Sequence, residues 1–278
     1  MAAGILSLNE FSSLAAGLKG EQQRMPVMFA GHGSPMNAIE DNEFSRTWKQ
    51  LGKTLPRPKA ILCISAHWMT SGSTFVTAMD KPQTIHDFGG FPQELFAAQY
   101  PAPGAATLAQ ETIALVEKTT LQPNHDWGLD HGCWSVLLPM FPKADIPVFQ
   151  LSLDLNKSPQ WHYDLALQLK SLREKGVLIV GSGNIVHNLG IMKWGDTAYD
   201  WALEFDQWSK DCISSGNHQA LIDYSKKGKV AQLAIPTNEH YLPLLYTLAL
   251  QDKKDQLSFF NEKTVMGSVS MRSVLLTS

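Results

Sequence analysis

Nine histidines are spread along the 278 residues of this chain, and several stand where metal or acid–base chemistry would need them. His32 and His67 each follow a short apolar run, Met25-Pro26-Val27-Met28-Phe29-Ala30 and Ala60-Ile61-Leu62-Cys63-Ile64. His187 follows the glycine turn Gly181-Ser182-Gly183-Asn184, which ends a third apolar run from Gly176 to Val180. Neutral imidazole is the commonest transition-metal ligand and suits iron and zinc alike. One strand-end histidine by itself is more often a hydrogen-bonded structural residue. The joint reading is stronger because Gly-His-Gly-Ser-Pro and Ser-Ala-His-Trp share the same strand-then-histidine design.

The pair Glu239-His240 sits at the start of a predicted helix opened by Pro236-Thr237-Asn238. An acid there is favoured by the helix dipole in any case. As a ligand, Glu239 would complete a face of two histidines and one carboxylate with open positions, as used for O2 chemistry at iron(II). Alternatively His240 reaches the metal and Glu239 orients it. His131, in Gly128-Leu129-Asp130-His131-Gly132, reads either as a general acid/base or as a turn residue. His86, His125, His162 and His218 give weaker signals, and His162 and His218 read as surface residues. Gly181-Ser182-Gly183-Asn184 lacks the GxGxxG spacing of a dinucleotide site, and the turn around Ser34 lacks the GxSxG of a hydrolase nucleophile.

The elements that would position these groups are strands alternating with helices. Helices are predicted at 43–51, 105–118, from Ser158-Pro159 onward with Leu165, Leu169 and Leu172 on one face, and at 197–213. Further strands are predicted at 72–78 and 146–153, and a last one at 264–276, while the polar stretch 214–229 reads as a loop or small excursion. This alternation predicts an α/β fold: a single domain with a central mixed, largely parallel sheet flanked by helices. In such sheets ligands bind in the crevice beyond the carboxyl ends of the strands, where three of these histidines would arrive.

The bulk composition excludes several classes. With 23 basic and 26 acidic residues there is no basic excess to attract nucleic acid. No run of about 18 apolar residues occurs, which gives no membrane span. Residues 1–24 read as an N-terminal extension, either a short amphipathic helix or a frayed segment; no basic start precedes the apolar part and Glu10 interrupts it, unlike a signal peptide. Three widely spaced cysteines, Cys63, Cys133 and Cys212, suit a reducing cytoplasm better than a disulfide framework.

At GHGSPMNAIEDN, LPRPKAILCISAHW, TIHDFGGFP, YPAPG, WGLDHGCW, PVFQLSL, GSGNIVHNLG, PTNEHYLPLLY and MGSVSMRSV the chain resembles the class III extradiol ring-cleavage dioxygenases, most closely their 4,5-DOPA branch in bacteria and plants. The resemblance runs from about residue 25 to the end, so 25–278 is expected to be the catalytic domain. It implies a mononuclear non-haem metal centre that opens a catechol such as DOPA with O2. It implies His32 and His67 as metal ligands, with His240 as the third ligand and Glu239 as its rival. His187 is implied either as a further ligand or as a catalytic histidine beside O2. His131 is implied to deprotonate substrate or protonate an intermediate. No separate organic cofactor is implied; Fe(II) is expected for activity, and Zn(II) can occupy the same site. The rival readings are a zinc hydrolase and a non-catalytic binding protein on the same fold. The sequence leaves the oligomeric state open.

Overall fold

The computed structural model describes residues 24–195 and 197–278. The predicted N-terminal extension therefore lies outside the described residues except for Arg24, which pairs with Asp252 at 3.0 Å.

Six strands form the central sheet: β1 (Val27–Gly31), β2 (Ala60–Ser65), β3 (Val148–Gln150), β4 (Val177–Gly183), β5 (Gln256–Phe260) and β6 (Ser273–Thr277). Their spatial order is β3-β2-β4-β1-β6-β5. The first four run parallel, and β6 then pairs antiparallel with both β1 and β5. This is the expected mixed, largely parallel sheet. All residues of β1, β2 and β4 are buried, so both faces need cover, and near-continuous apolar runs follow from that.

The strand period of two separates two cores. Val27, Phe29, Leu62 and Ile64 face one way, toward helices α4 (Pro159–Leu167), α5 (Asp200–Ser214) and α6 (Leu242–Ala249). Met28, Ala30, Ile61 and Cys63 face the other way, toward α1 (Glu43–Thr54) and α3 (His131–Met140), where Trp48, Trp134 and Leu137 are wholly buried. Helix α2 (Ala106–Leu115) lies on the first side, beside a small strand pair, Thr74–Thr77 with Leu121–Asn124. The helix starts are sequence-encoded. Asn42 caps α1 in a reciprocal capping box with Ser45, Ser158 caps α4 ahead of Pro159, and Asp130 caps α3 by accepting from Cys133 N.

Several local expectations need correction. The tail is not one strand: the chain reverses at Met266 and Gly267, both at positive φ, between two short strands, Thr264–Val265 and Val269–Ser270, before β6. The stretch 214–229 holds a short helix, His218–Ile222, and a 3-10 turn, Tyr224–Lys227. His218 is half-buried and bonded to Tyr163 Oη at 2.9 Å. His162 is no surface residue: it is fully buried, 2.9 Å from Tyr246 Oη and 3.2 Å from Asp154 O. It precedes Leu165 by three and lies on the apolar face of α4, where a hydrogen-bonded imidazole packs at little penalty.

Candidate metal centre

The carboxyl ends of β1, β2 and β4 converge, and the sequence-predicted residues arrive together. His32 leaves β1 through a turn in which Gly33 has φ 58°, a conformation a side chain would strain. His67 lies two residues beyond β2, and His131 is the first residue of α3. His187 follows β4. Glu239 and His240 lie in a turn ahead of α6, which starts only at Leu242, so the helix-dipole reading of Glu239 does not apply. That turn lies against β4, with Asn184 N donating to His240 O at 2.8 Å. A Cβ on Gly183 would stand 2.1 Å from His240 O, so the glycines of Gly-Ser-Gly serve close packing, not a phosphate.

Five imidazoles form one cluster. Ring centroids are 5.1 Å apart for His32 and His67, 3.7 Å for His67 and His131, and 5.4 Å for His32 and His240. His187 stacks on His240 at 3.5 Å with planes 11° apart. Candidate ligand atoms lie within 4.8 Å of one another in two adjoining groups, His32/His67/His131 and His187/Glu239/His240.

Hydrogen-bond partners fix the tautomers. Ser182 Oγ spends its one proton on Gly132 O at 2.5 Å, so it accepts from His32 Nδ1–H at 3.1 Å. Asp87 Oδ2 faces the Nδ1 atoms of His131 and His67 at 2.9 and 3.2 Å. Glu239 Oε1 faces Nδ1 of His240 at 2.9 Å and also accepts from Thr237 Oγ1 at 3.0 Å. Ionised carboxylates only accept, so each of these Nδ1 atoms carries hydrogen and each neutral ring turns an Nε2 lone pair away from its partner. His32 Nε2 and His67 Nε2 are nevertheless 3.2 Å apart. In the neutral rings no proton remains to join them, and the spacing is that of two nitrogens on one ion: bonds of about 2.0–2.1 Å leave neighbouring ligand atoms roughly 3–3.4 Å apart.

The electrostatics agree. Burial and then the neighbouring imidazoles hold His32 and His240 well below the ordinary histidine range. Burial lowers His187 to about 4, with Glu239 pulling weakly the other way. Neutral imidazoles are the form that binds metal. Burial opposes ionisation of Asp87, but hydrogen bonds from His131 and His67 prevail and hold it well below the usual carboxylate range. Its side chain is 19% exposed although the residue's main chain reaches the surface.

Asp87 is the site residue that sequence reasoning missed. Its one available signal was its place as the sole acid in Thr84-Ile85-His86-Asp87-Phe88. Asp130, the neighbour of His131, turns away from the ring and takes bonds from Ser65 Oγ at 2.6 Å, Gln150 Nε2 at 2.7 Å and Trp127 Nε1 at 3.3 Å. Phe88 meets His131 edge-on at 5.5 Å and Phe91 at 5.3 Å. Trp134 is fully buried and anchors the 84–92 loop through Nε1 to Ile85 O at 2.8 Å, while Trp68 stacks on Trp127.

Fold and cluster together define an α/β protein with a nitrogen-rich candidate metal site at the carboxyl edge of its strands. Residues 25–271 match the family described as the catalytic LigB subunit of aromatic ring-opening dioxygenase. The chain is 48% identical over 257 residues to a protein of Escherichia coli (strain K12) named 4,5-DOPA dioxygenase extradiol, covering 90% of this chain and 94% of that one. A Beta vulgaris protein of the same name is 35% identical over 260 residues, covering 91% and 96%. The crystal structure of an uncharacterized Escherichia coli K12 protein matches with a TM-score of 0.80 at 42% identity, over 91% of this chain and 99% of that one. The chain belongs to this ring-opening dioxygenase family and is an extradiol dioxygenase. The hydrolase and binding-protein readings find no support among these relatives. Among the described residues no helix is long and apolar enough to cross a membrane.

Proposed function

We propose that this protein opens a substituted catechol such as DOPA by extradiol cleavage with O2, at a single Fe(II) held by His32, His67 and His240. The observation that carries the metal reading is the 3.2 Å approach of two Nε2 lone pairs whose Nδ1 atoms are already committed. Support for DOPA comes from the names of the 48% and 35% identical relatives. Residues 25–278 are the catalytic domain on this reading, and the buried, free Cys63, Cys133 and Cys212 suit a reducing cytoplasm.

Fe(II) would supply positions for both catechol oxygens and for O2, with an electron path between them that Zn(II), having no redox chemistry, would not. His32, His67 and His240 would hold the ion, and His187, a neutral imidazole stacked on His240, would stand beside O2 or serve as a further ligand. His131 takes a phenolic proton at Nε2, and the Asp87 carboxylate at Nδ1 stabilises the imidazolium that results. Glu239 holds the His240 ring in register. Phe88 and Phe91 form an apolar wall beside His131 that excludes water and packs on the aromatic substrate.

The test is anaerobic loading with Fe(II), then O2 uptake and absorbance with DOPA and simpler catechols, against Zn(II)-loaded protein. A yellow ring-opened product with about one O2 taken up per catechol, from iron protein alone, supports the reading. No uptake with any catechol, despite verified iron at the histidines, would overturn it.

A further inference from the structure

We propose that Asp87 is a shared positioning residue, one carboxylate that fixes both His67, a metal-facing imidazole, and His131, the acid/base imidazole. The roles given to the two histidines rest on the ring-opening reading above; the sharing itself rests on geometry. Asp87 Oδ2 lies 2.9 Å from His131 Nδ1 and 3.2 Å from His67 Nδ1. Its other oxygen, Oδ1, accepts the main-chain N–H of His131 at 2.8 Å. That N–H opens the ten-residue helix α3, whose dipole favours a negative charge at this end.

Among the described residues no other acceptor is in place for either Nδ1 atom. The carboxylate next in sequence to His131 belongs to Asp130, which is wholly buried and occupied by Ser65, Gln150, Trp127 and Cys133 N. Asp87 is brought in instead by the 84–92 loop, which is pinned to the domain by Ile85 N to Leu129 O at 2.7 Å and by Trp134 Nε1 to Ile85 O at 2.8 Å.

One oxygen serving two rings has a consequence that a carboxylate serving one would not. Removing it releases both rings, each of which can then move its proton from Nδ1 to Nε2. At His67 that blocks a ligand atom, and at His131 it removes the lone pair that accepts the substrate proton. Metal affinity and turnover should therefore both fall when Asp87 is changed. Changing His131 leaves the bond from Asp87 to His67, so metal affinity should then hold.

The experiment uses Zn(II)-loaded protein, which is diamagnetic, with 15N-labelled histidine. Asp87→Ala and the nearly isosteric Asp87→Asn are compared with wild type by long-range 15N–1H spectra of the rings and by chelator competition for zinc. Iron-loaded samples give kcat and KM separately. The expected results for Asp87→Ala are altered ring-nitrogen signals at both His67 and His131, with His162 unchanged as an internal control. Zinc affinity should fall about 10–100-fold, and kcat should fall by a similar factor with KM little changed. Asp87→Asn keeps one neutral acceptor oxygen and should lie between, and it serves as the test protein if the alanine variant does not fold. Altered signals at only one of the two rings, or zinc affinity within about twofold of wild type, would overturn the shared role. Altered signals and affinity in a protein whose wild type turns over no catechol would support the shared acceptor and sink the ring-opening reading instead.

Discussion

Ser182→Ala should weaken both the fold and the metal site, and two hydrogen bonds set the size of each loss. Ser182 is fully buried on β4, where its Oγ accepts from His32 Nδ1 at 3.1 Å and donates to Gly132 O at 2.5 Å. Alanine leaves the Nδ1–H of His32, a residue only 2% exposed, without its partner, and takes from Gly132 O a second donor beyond the one its helix supplies. An unsatisfied buried group costs about 1–3 kcal/mol, so a stability loss of that order is expected. The freed His32 ring can also carry its proton on Nε2, the nitrogen that faces His67. Loss of such an orienting partner lowers metal affinity about 10–100-fold, equivalent to roughly 1.4–2.8 kcal/mol. Urea unfolding of metal-free protein reads the first loss, and chelator competition with Zn(II) reads the second. A folded Ser182→Ala protein that binds zinc as tightly as wild type would refute the tautomer assignment on which the metal reading depends.

His240→Ala and Glu239→Gln should separate. The first removes a ligand nitrogen and should lose metal, whereas the second keeps an acceptor oxygen for Nδ1 and should stay within about tenfold of wild type; the reverse order in metal analysis would make Glu239 the ligand. His131→Ala should retain metal while kcat drops by about 10²–10⁴-fold, and normal turnover would return His131 to a structural role. His162, outside the cluster, is lowered by burial to about 4 from an ordinary 6.5. Between those values the unfolded chain binds the extra proton, so this group's contribution is present above pH 6.5 and is lost as pH falls toward 4, on the order of 3 kcal/mol in all. Urea unfolding at about pH 7 and about pH 4.5 should show that His162→Gln loses less stability on acidification than wild type; equal losses would place the acid sensitivity elsewhere.

The sheet and three of its histidines were legible in sequence because fully buried parallel strands are near-continuous apolar runs, and β1, β2 and β4 are such runs ending in glycine or serine, with a histidine a few residues beyond each. Partners that meet across the fold were not legible. Asp87 and His131 are 44 positions apart, and no local spacing links the two. His162 was misread because charge-bearing residues on helices are usually solvated, although its spacing from Leu165 and Leu169 placed it on the apolar face. The start of α6 was put too early because Pro236-Thr237-Asn238-Glu239 has the residue types of a helix start; here they form the turn that lays His240 against Gly183.

The partners of Glu239 also bear on the charge of the site. Its Oε1 is taken up by Thr237 Oγ1 and His240 Nδ1, while His240 Nε2 has no hydrogen-bond partner among the described residues. With Oε1 committed to orienting His240, Glu239 could reach an ion only through Oε2, whereas His240 offers a free imidazole lone pair, and the proposed set is accordingly three neutral nitrogens. A neutral set leaves the full positive charge of the ion to act on whatever enters its open positions. On the proposed reading that charge would lower the cost of losing phenolic protons, and a catechol that lost them would supply the compensating negative charge itself. The acids of the site are then held one step back, Asp87 behind His131 and His67, and Glu239 behind His240. There they keep the ring protons on Nδ1 and would leave the charge of a bound ion unneutralised.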